Sequence, residues 1–164
     1  MIRRILPVTM LVFLSCFLLS CKGSPVEVRT TELAIKTELK EDRATFLMGI
    51  TAGLLNSSAD TVVTDYSGTL KVVNDETGSE IFVFPLEVER LMPMETVEVV
   101  LNKTGNEDTF RPLFELMAID MDEVIKSGEA GPIMLNESYI KLEDISYSKV
   151  PVVQFLEEKA DEDK

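Results

Sequence analysis

Apolar and polar side chains alternate with period two through the first half of this chain. Leu33, Ile35, Thr37 and Leu39 are interleaved with Ala34, Lys36, Glu38 and Lys40. Successive side chains of an extended chain point to opposite faces, so this spacing specifies a strand with one dry and one wet side. A helix would scatter the same residues around its axis. Residues 45–55 are more continuously apolar and suit a central strand, with Gly49 and Gly53 expected at bulges or close approaches. The polar run 56–60 reads as a turn, and 61–73 as a strand bulged at Gly68. Asn74-Asp75-Glu76-Thr77-Gly78 predicts a hairpin loop with Gly78 left-handed. Residues 81–88 extend again, and Pro85, which has no N–H for a ladder, predicts an edge or bulged strand. After a turn at 91–95, Val97, Val99 and Leu101 share one strand face.

The period then changes. Phe110, Leu113, Phe114, Met117, Met121, Val124 and Ile125 recur at three and four residues, which predicts one helix near 110–126. Thr109 would be its N-cap, Pro112 would fall in its first turn and Gly128 would stop it. Asp120 followed by Glu123 fits a capping box, so the alternative is a strand to Ile119 and then a short helix. Beyond Gly131-Pro132 the chain is expected to extend at 133–135, 139–147 and 150–155. Seven or eight strands with one helix predict a mostly β fold, an immunoglobulin-like β-sandwich.

Only two cysteines occur, Cys16 and Cys21, both inside the first 21 residues. That stretch begins with Arg3 and Arg4, continues through an apolar run over 5–19 and ends in Leu18-Leu19-Ser20-Cys21. This leader resembles the lipobox of bacterial lipoproteins. The resemblance implies cleavage before Cys21, diacylglycerol on the Cys21 sulfur and a membrane anchor. Two or more acyl chains, at about 0.8 kcal/mol per buried methylene, hold a protein without help from charge. Charge offers no help here: the net charge is −13, becoming −15 once Arg3 and Arg4 leave with the leader. Such a chain is repelled by nucleic acid and by anionic lipid, so no nucleic-acid partner is expected. Lys22 follows the lipidated position where enteric lipoproteins carry Asp for inner-membrane retention. The expected location is therefore the bacterial cell envelope, outer membrane favoured over inner.

The expected organisation is a signal peptide over 1–20, lipidated Cys21 with a short spacer to 25, a sandwich domain over 26–156 and an acidic disordered tail over 157–164. The domain, at about 130 residues, is long enough to bury a core without disulfide or metal. Its order of elements, with an apolar second strand ending at Leu54-Leu55-Asn56, the turn at 91–95, a strand at Val97 and a late helix, resembles the group-two late-embryogenesis-abundant domain. This is also called the water-stress and hypersensitive-response domain. Asn56-Ser57-Ser58 stands where that family has Asn-Pro-Asn and shares its first Asn. The resemblance implies an immunoglobulin-like sandwich without catalysis, tied to stress protection or partner binding.

The residues for most catalysis are missing. The chain has no His, and the mature part has no Cys, so neither a Ser-His nor a Cys-His pair can form and zinc has few ligands. Ser146-Tyr147-Ser148-Lys149 and Lys103-Thr104-Gly105 match the S-x-x-K and K-T-G strings of serine β-lactamases, in reversed order. In a strand, Ser146 and Lys149 would point to opposite faces. Asp120, Asp122 and Glu123 suit a helix start better than a calcium loop, because Val124 and Ile125 stand where that loop needs an oxygen ligand and Gly. Glu87 and Glu89 read as a wet strand face, and Met92, Met94, Met117 and Met121 as gap-filling apolar residues rather than a Cu(I) site. Asn56, Asn102 and Asn136 begin N-glycosylation strings that carry no meaning in a bacterial protein. No catalytic residue, metal or cofactor is expected. The expected role is a lipid-anchored envelope domain that binds or scaffolds a protein partner through a sheet edge, with Ile81 and Val83 as edge residues, or through a loop end. The alternative is a carrier or sensor of an apolar small molecule held between sheet and helix.

Overall fold

A computed structural model describes residues 23–41 and 43–162. Cys21 and its lipobox lie outside the described residues. Seven strands form two antiparallel sheets. They are β1 (Val26–Lys40), β2 (Arg43–Asn56), β3 (Thr61–Val73), β4 (Glu80–Leu91), β5 (Thr96–Gly105), β6 (Glu129–Met134) and β7 (Ile140–Pro151). One sheet has the order β5-β2-β1-β6 and the other β4-β3-β7. β1, β2 and β5 share a sheet as strands A, B and E do in immunoglobulin domains, facing β3 in the position of C. β4 departs from the constant-type arrangement by pairing with β3, and β6 is added outside β1.

The core lies between the sheets and is built from the alternating residues. Leu33 and Ile35 of β1, Phe46, Met48, Ile50 and Leu54 of β2, Leu70 and Val72 of β3, and Phe84 and Leu86 of β4 are all buried. Burial fades toward the far end of β1, where Leu39 is exposed. β2 is central, as its apolar run predicts, and its register with β5 is unbroken. Gly49 pairs with Ala34 in continuous register and forms no bulge, whereas the ladder does shift beside Gly68. Gly78 adopts φ 70°, and the Asn74 side chain accepts from Glu76 and Thr77 N–H to close the hairpin. β4 is an edge strand, consistent with Pro85.

The expected single helix over 110–126 is two: α1 (Glu107–Leu116) and α2 (Met121–Ser127). Asn106, not Thr109, is the N-cap of α1, its Oδ1 accepting from Thr109 N–H at 3.0 Å. Pro112 therefore lies inside the helix rather than in its first turn. The chain turns at Ala118 with φ 50°, and the Asp120 carboxylate caps α2 through Asp122 and Glu123 N–H. The three-four spacing survives this break because both helices rest on the same core. Phe110 packs tilted and Phe114 edge-on against Phe46, at 5.6 and 5.2 Å between ring centres, and Phe110 meets Phe82 at 5.2 Å.

Residues 150–155, expected to be extended, divide between the end of β7 and a third helix, α3 (Val152–Glu162). The acidic stretch from 157 thus continues a helix as far as Glu162 instead of forming a disordered tail. α3 packs back on β3 and β7. Its start is tied down by the Val152 N–H to the Asp60 carbonyl at 2.9 Å, and Arg90 lies 5.5 Å from the Phe155 ring. A hydrogen bond and a cation–π contact thus help hold as a helix a sequence that has no clear stripe beyond Leu156.

Candidate functional site

At one end of the sandwich, Asn56 joins three segments. Its side chain is fully buried, its Nδ2 donates to the carbonyls of Thr61, Leu91 and Met92, and its Oδ1 accepts from Ser58 N–H. Its backbone also pairs with Glu95 and Met94. The end of β2, the start of β3 and the β4–β5 turn are thereby fastened to one another. Pro25, where β1 begins, is fastened there too, since its carbonyl accepts from Ser57 N–H at 2.7 Å. The segment leading back to Cys21 leaves the fold at this end.

The flank formed by β4 and β5 presents two open strand edges, and their chemistry differs. β4 carries Pro85 and the exposed carboxylates of Glu80, Glu87 and Glu89, features that discourage strand addition. Val83 on β4 is 48% exposed, while Ile81 packs partly against the core. β5 carries exposed Glu98 and Lys103 as well, but it has ten residues, no proline and no register shift, and it has a strand partner on one side only. Val100 on it is 61% exposed. On the opposite flank, β6 is short and contains Pro132, and β7 is bulged near Asp144, which has φ 53°.

Between the sheets on that opposite flank lies a cleft of about 480 Å³. Val28, Leu135, Ile140 and Leu142 supply its apolar lining, and Arg29, Asn136 and Glu137 its polar one. The space between sheet and α1, where the sequence places an apolar ligand, is filled by the rings of Phe46, Phe110 and Phe114.

Most of the chemistry-bearing strings are held apart or already engaged. Ser146 and Lys149 are both exposed on β7, on opposite faces, and Lys149 lies over the Tyr147 ring at 5.5 Å. Lys103-Thr104-Gly105 ends β5 in the other sheet. The Asp120 carboxylate is occupied in capping. Met92 and Met94 flank the Asn56 end, while Met117 and Met121 follow α1 beyond the other end of β5. β2 pairs with both ends of β5 through Leu55 and Phe46, nine residues or about 30 Å apart, so the two methionine pairs cannot share an ion. Among the described residues, no cluster of three or more His, Cys, Asp or Glu could hold a metal, and no helix is long and apolar enough to cross a membrane.

Three polar groups among the described residues have displaced protonation equilibria. Lys71, on the outer face of β3, is clamped by Glu80 of β4 and Glu143 of β7 at 2.5 and 2.6 Å. Hydrogen bonds to Glu143 and then Glu80 raise its pKa, and the Lys71 ammonium holds the Glu143 carboxyl below its ordinary value. Tyr66 is buried with no hydrogen-bond partner for its hydroxyl among the protein atoms, and burial followed by nearby Tyr147 raises its pKa. All three are accounted for by the sandwich itself, Lys71 and Glu143 by a cross-strand clamp and Tyr66 by its place as a core ring.

No protein-family model, curated protein or solved structure matches this chain. The features that sequence reasoning missed are the openness of β5 and the conformation of Met94. Edge positions follow from sheet order, which a single strand does not encode. For Met94 a signal did exist: Pro93 before it is the residue that opens turns whose next position needs positive φ.

Proposed function

We propose that this protein is a lipid-anchored envelope domain that binds a protein partner without catalysing a reaction, docking a strand of that partner on the open edge of β5. The observation carrying this reading is the uncovered, unbroken ten-residue edge of β5. An extended partner gains main-chain hydrogen bonds there, and side-chain pockets set its specificity. The lipobox ending at Cys21 supplies the anchor and the envelope location, with the outer membrane favoured. The high negative charge of the chain keeps copies from pairing edge to edge, which leaves the edge free for a different partner. The resemblance to the group-two late-embryogenesis-abundant domain points the same way, toward binding rather than turnover.

A photo-crosslinking residue at Val100, introduced into the lipidated protein in intact envelopes, should trap a discrete partner. Val100→Lys should abolish its capture, because a charge on an edge opposes strand addition. Val83→Lys on β4 and Ser146→Ala on β7 should leave capture unchanged. Equal loss from Val83→Lys would move the docking site to β4, and a reaction lost on changing Ser146 would replace binding with hydrolysis.

The cleft lined by Val28, Leu135, Ile140 and Leu142 favours a second reading, a carrier or sensor of an apolar molecule. A long-chain fatty acid should then raise the melting temperature, and Leu142→Gln should cancel the rise. No rise with any apolar ligand would leave the scaffold reading alone.

A further inference from the structure

We propose that the Asn56 end of the sandwich rests on the bilayer, with Met94 inserted at headgroup depth and Val153 and Leu156 of α3 beside it. The inference rests on lipidation at Cys21. Only residues 22–25 separate that cysteine from β1, a span of at most about 14 Å when fully extended. Pro25 is bonded to Ser57, so the tether cannot lengthen without breaking the fold's own contacts. The surface around it is held near the lipid.

That surface carries three of the largest exposed apolar side chains. Met94 is 63% exposed, Val153 65% and Leu156 54%. Met94 N–H bonds the carbonyls of Asn56 and Ser58, next to the tether. α3 begins with its bond to Asp60, and Phe155 sits over Arg90, two residues before the turn. Two carboxylates at this end also serve the fold: Glu95 accepts from Met92 N–H and Asp60 from Ser58 and Thr61 hydroxyls. These groups are exposed, as are Glu157 and Glu158 beside Leu156, so the apolar side chains stand within an acidic rim that a neutral lipid accepts and an anionic lipid would repel.

The conformation of Met94 is the independent observation. Glu95 N–H bonds the Met92 carbonyl, Pro93 occupies the second turn position, and Met94 takes the third with φ 59°. Gly or Asn fits that region without strain. Among the five described non-glycine residues at positive φ, only Met94 has a large apolar side chain. Strain of this kind persists where the surrounding structure over-determines it, and it clusters at functional sites. A flexible thioether aimed away from the domain, beside a lipid tether, has the bilayer as its apolar surrounding.

The chain contains no Trp, so single-Trp variants report position directly. Met94→Trp, Leu156→Trp and Leu39→Trp would be purified as full lipidated protein and placed in phosphatidylcholine vesicles with acyl chains brominated near the headgroup. Trp at 94 and 156 should shift to shorter emission wavelength and be quenched. Trp at 39, at the far end of β1, should behave as in water. If Met94→Trp fails to fold, Leu156→Trp decides alone. A protein that floats with the vesicles while position 94 or 156 stays unquenched overturns the orientation and keeps the anchor. Quenching at 39 as well as 94 overturns it in favour of a domain lying on its side. Failure to float removes the anchor reading and this inference with it.

Discussion

At the scale of single residues, the sandwich depends on one buried amide more than on any ion pair. Asn56 satisfies three carbonyls, that of Leu91 in a fully buried bond, so Asn56→Ala removes their shared donor and should cost about 2–3 kcal/mol, read as a lower urea midpoint. Met94 works in the opposite direction. A left-handed conformation costs an L-residue roughly 1–2 kcal/mol, so Met94→Gly should raise stability by about 1 kcal/mol in the same melt. Its effect on stability is opposite in sign to the effect expected on bilayer contact. Asn56 was legible in the sequence as a turn residue, but not as a hub, because its partners at Leu91 and Met92 lie far along the chain.

At the scale of elements, α1 closes the core at the end away from Asn56. Phe110, Leu113 and Phe114 are buried and Glu115 is exposed. Phe114→Ala should therefore cost about 3–5 kcal/mol in urea melts, and Glu115→Ala close to none. The reverse order would mean that the helix phase is wrong. The second sheet is fastened across its outer face by Lys71. The Glu143 carboxyl titrates below its ordinary value of 4.5, so the clamp stabilises fully above that pH and fades as pH falls through the lowered pKa. On the alkaline side, the raised Lys71 and Tyr66 values put the loss above pH 10. The stability difference between the natural protein and Lys71→Met should thus be present at pH 7 and shrink below pH 4.5. A gap that does not change with pH would show that Lys71 acts through packing of its stem. The break between α1 and α2 was invisible to periodicity, since Ala118 takes a left-handed turn with no glycine to mark it.

At the scale of the whole molecule, an anchor at Cys21 and an open edge on β5 describe one arrangement. In the proposed arrangement the Asn56 end stands at the lipid and β5 runs away from it for its ten residues, leaving its edge reachable from the aqueous side. Cys21→Ser should abolish labelling by a radioactive fatty acid and release the protein from membranes. Label retained by that variant would place the lipid elsewhere.

Local pattern determined which segments became strands and where the two-residue alternation buried them, because the face of a strand is set by neighbours one and two residues away. The resemblance of the first 21 residues to a lipobox leader is likewise a matter of linear order alone. Tertiary structure decided the rest. Sheet order left β5 and not β6 beside β2, which no strand's own residues specify, and so chose which edge stays open. Packing on β3 and β7 made a helix of residues 152–162, whose polar sequence has little reason to be one alone. Hydrogen bonds from Met94 N–H to the Asn56 and Ser58 carbonyls held Met94 in a conformation its own side chain disfavours, because contacts distant in sequence add up to more than a local strain of roughly 1–2 kcal/mol.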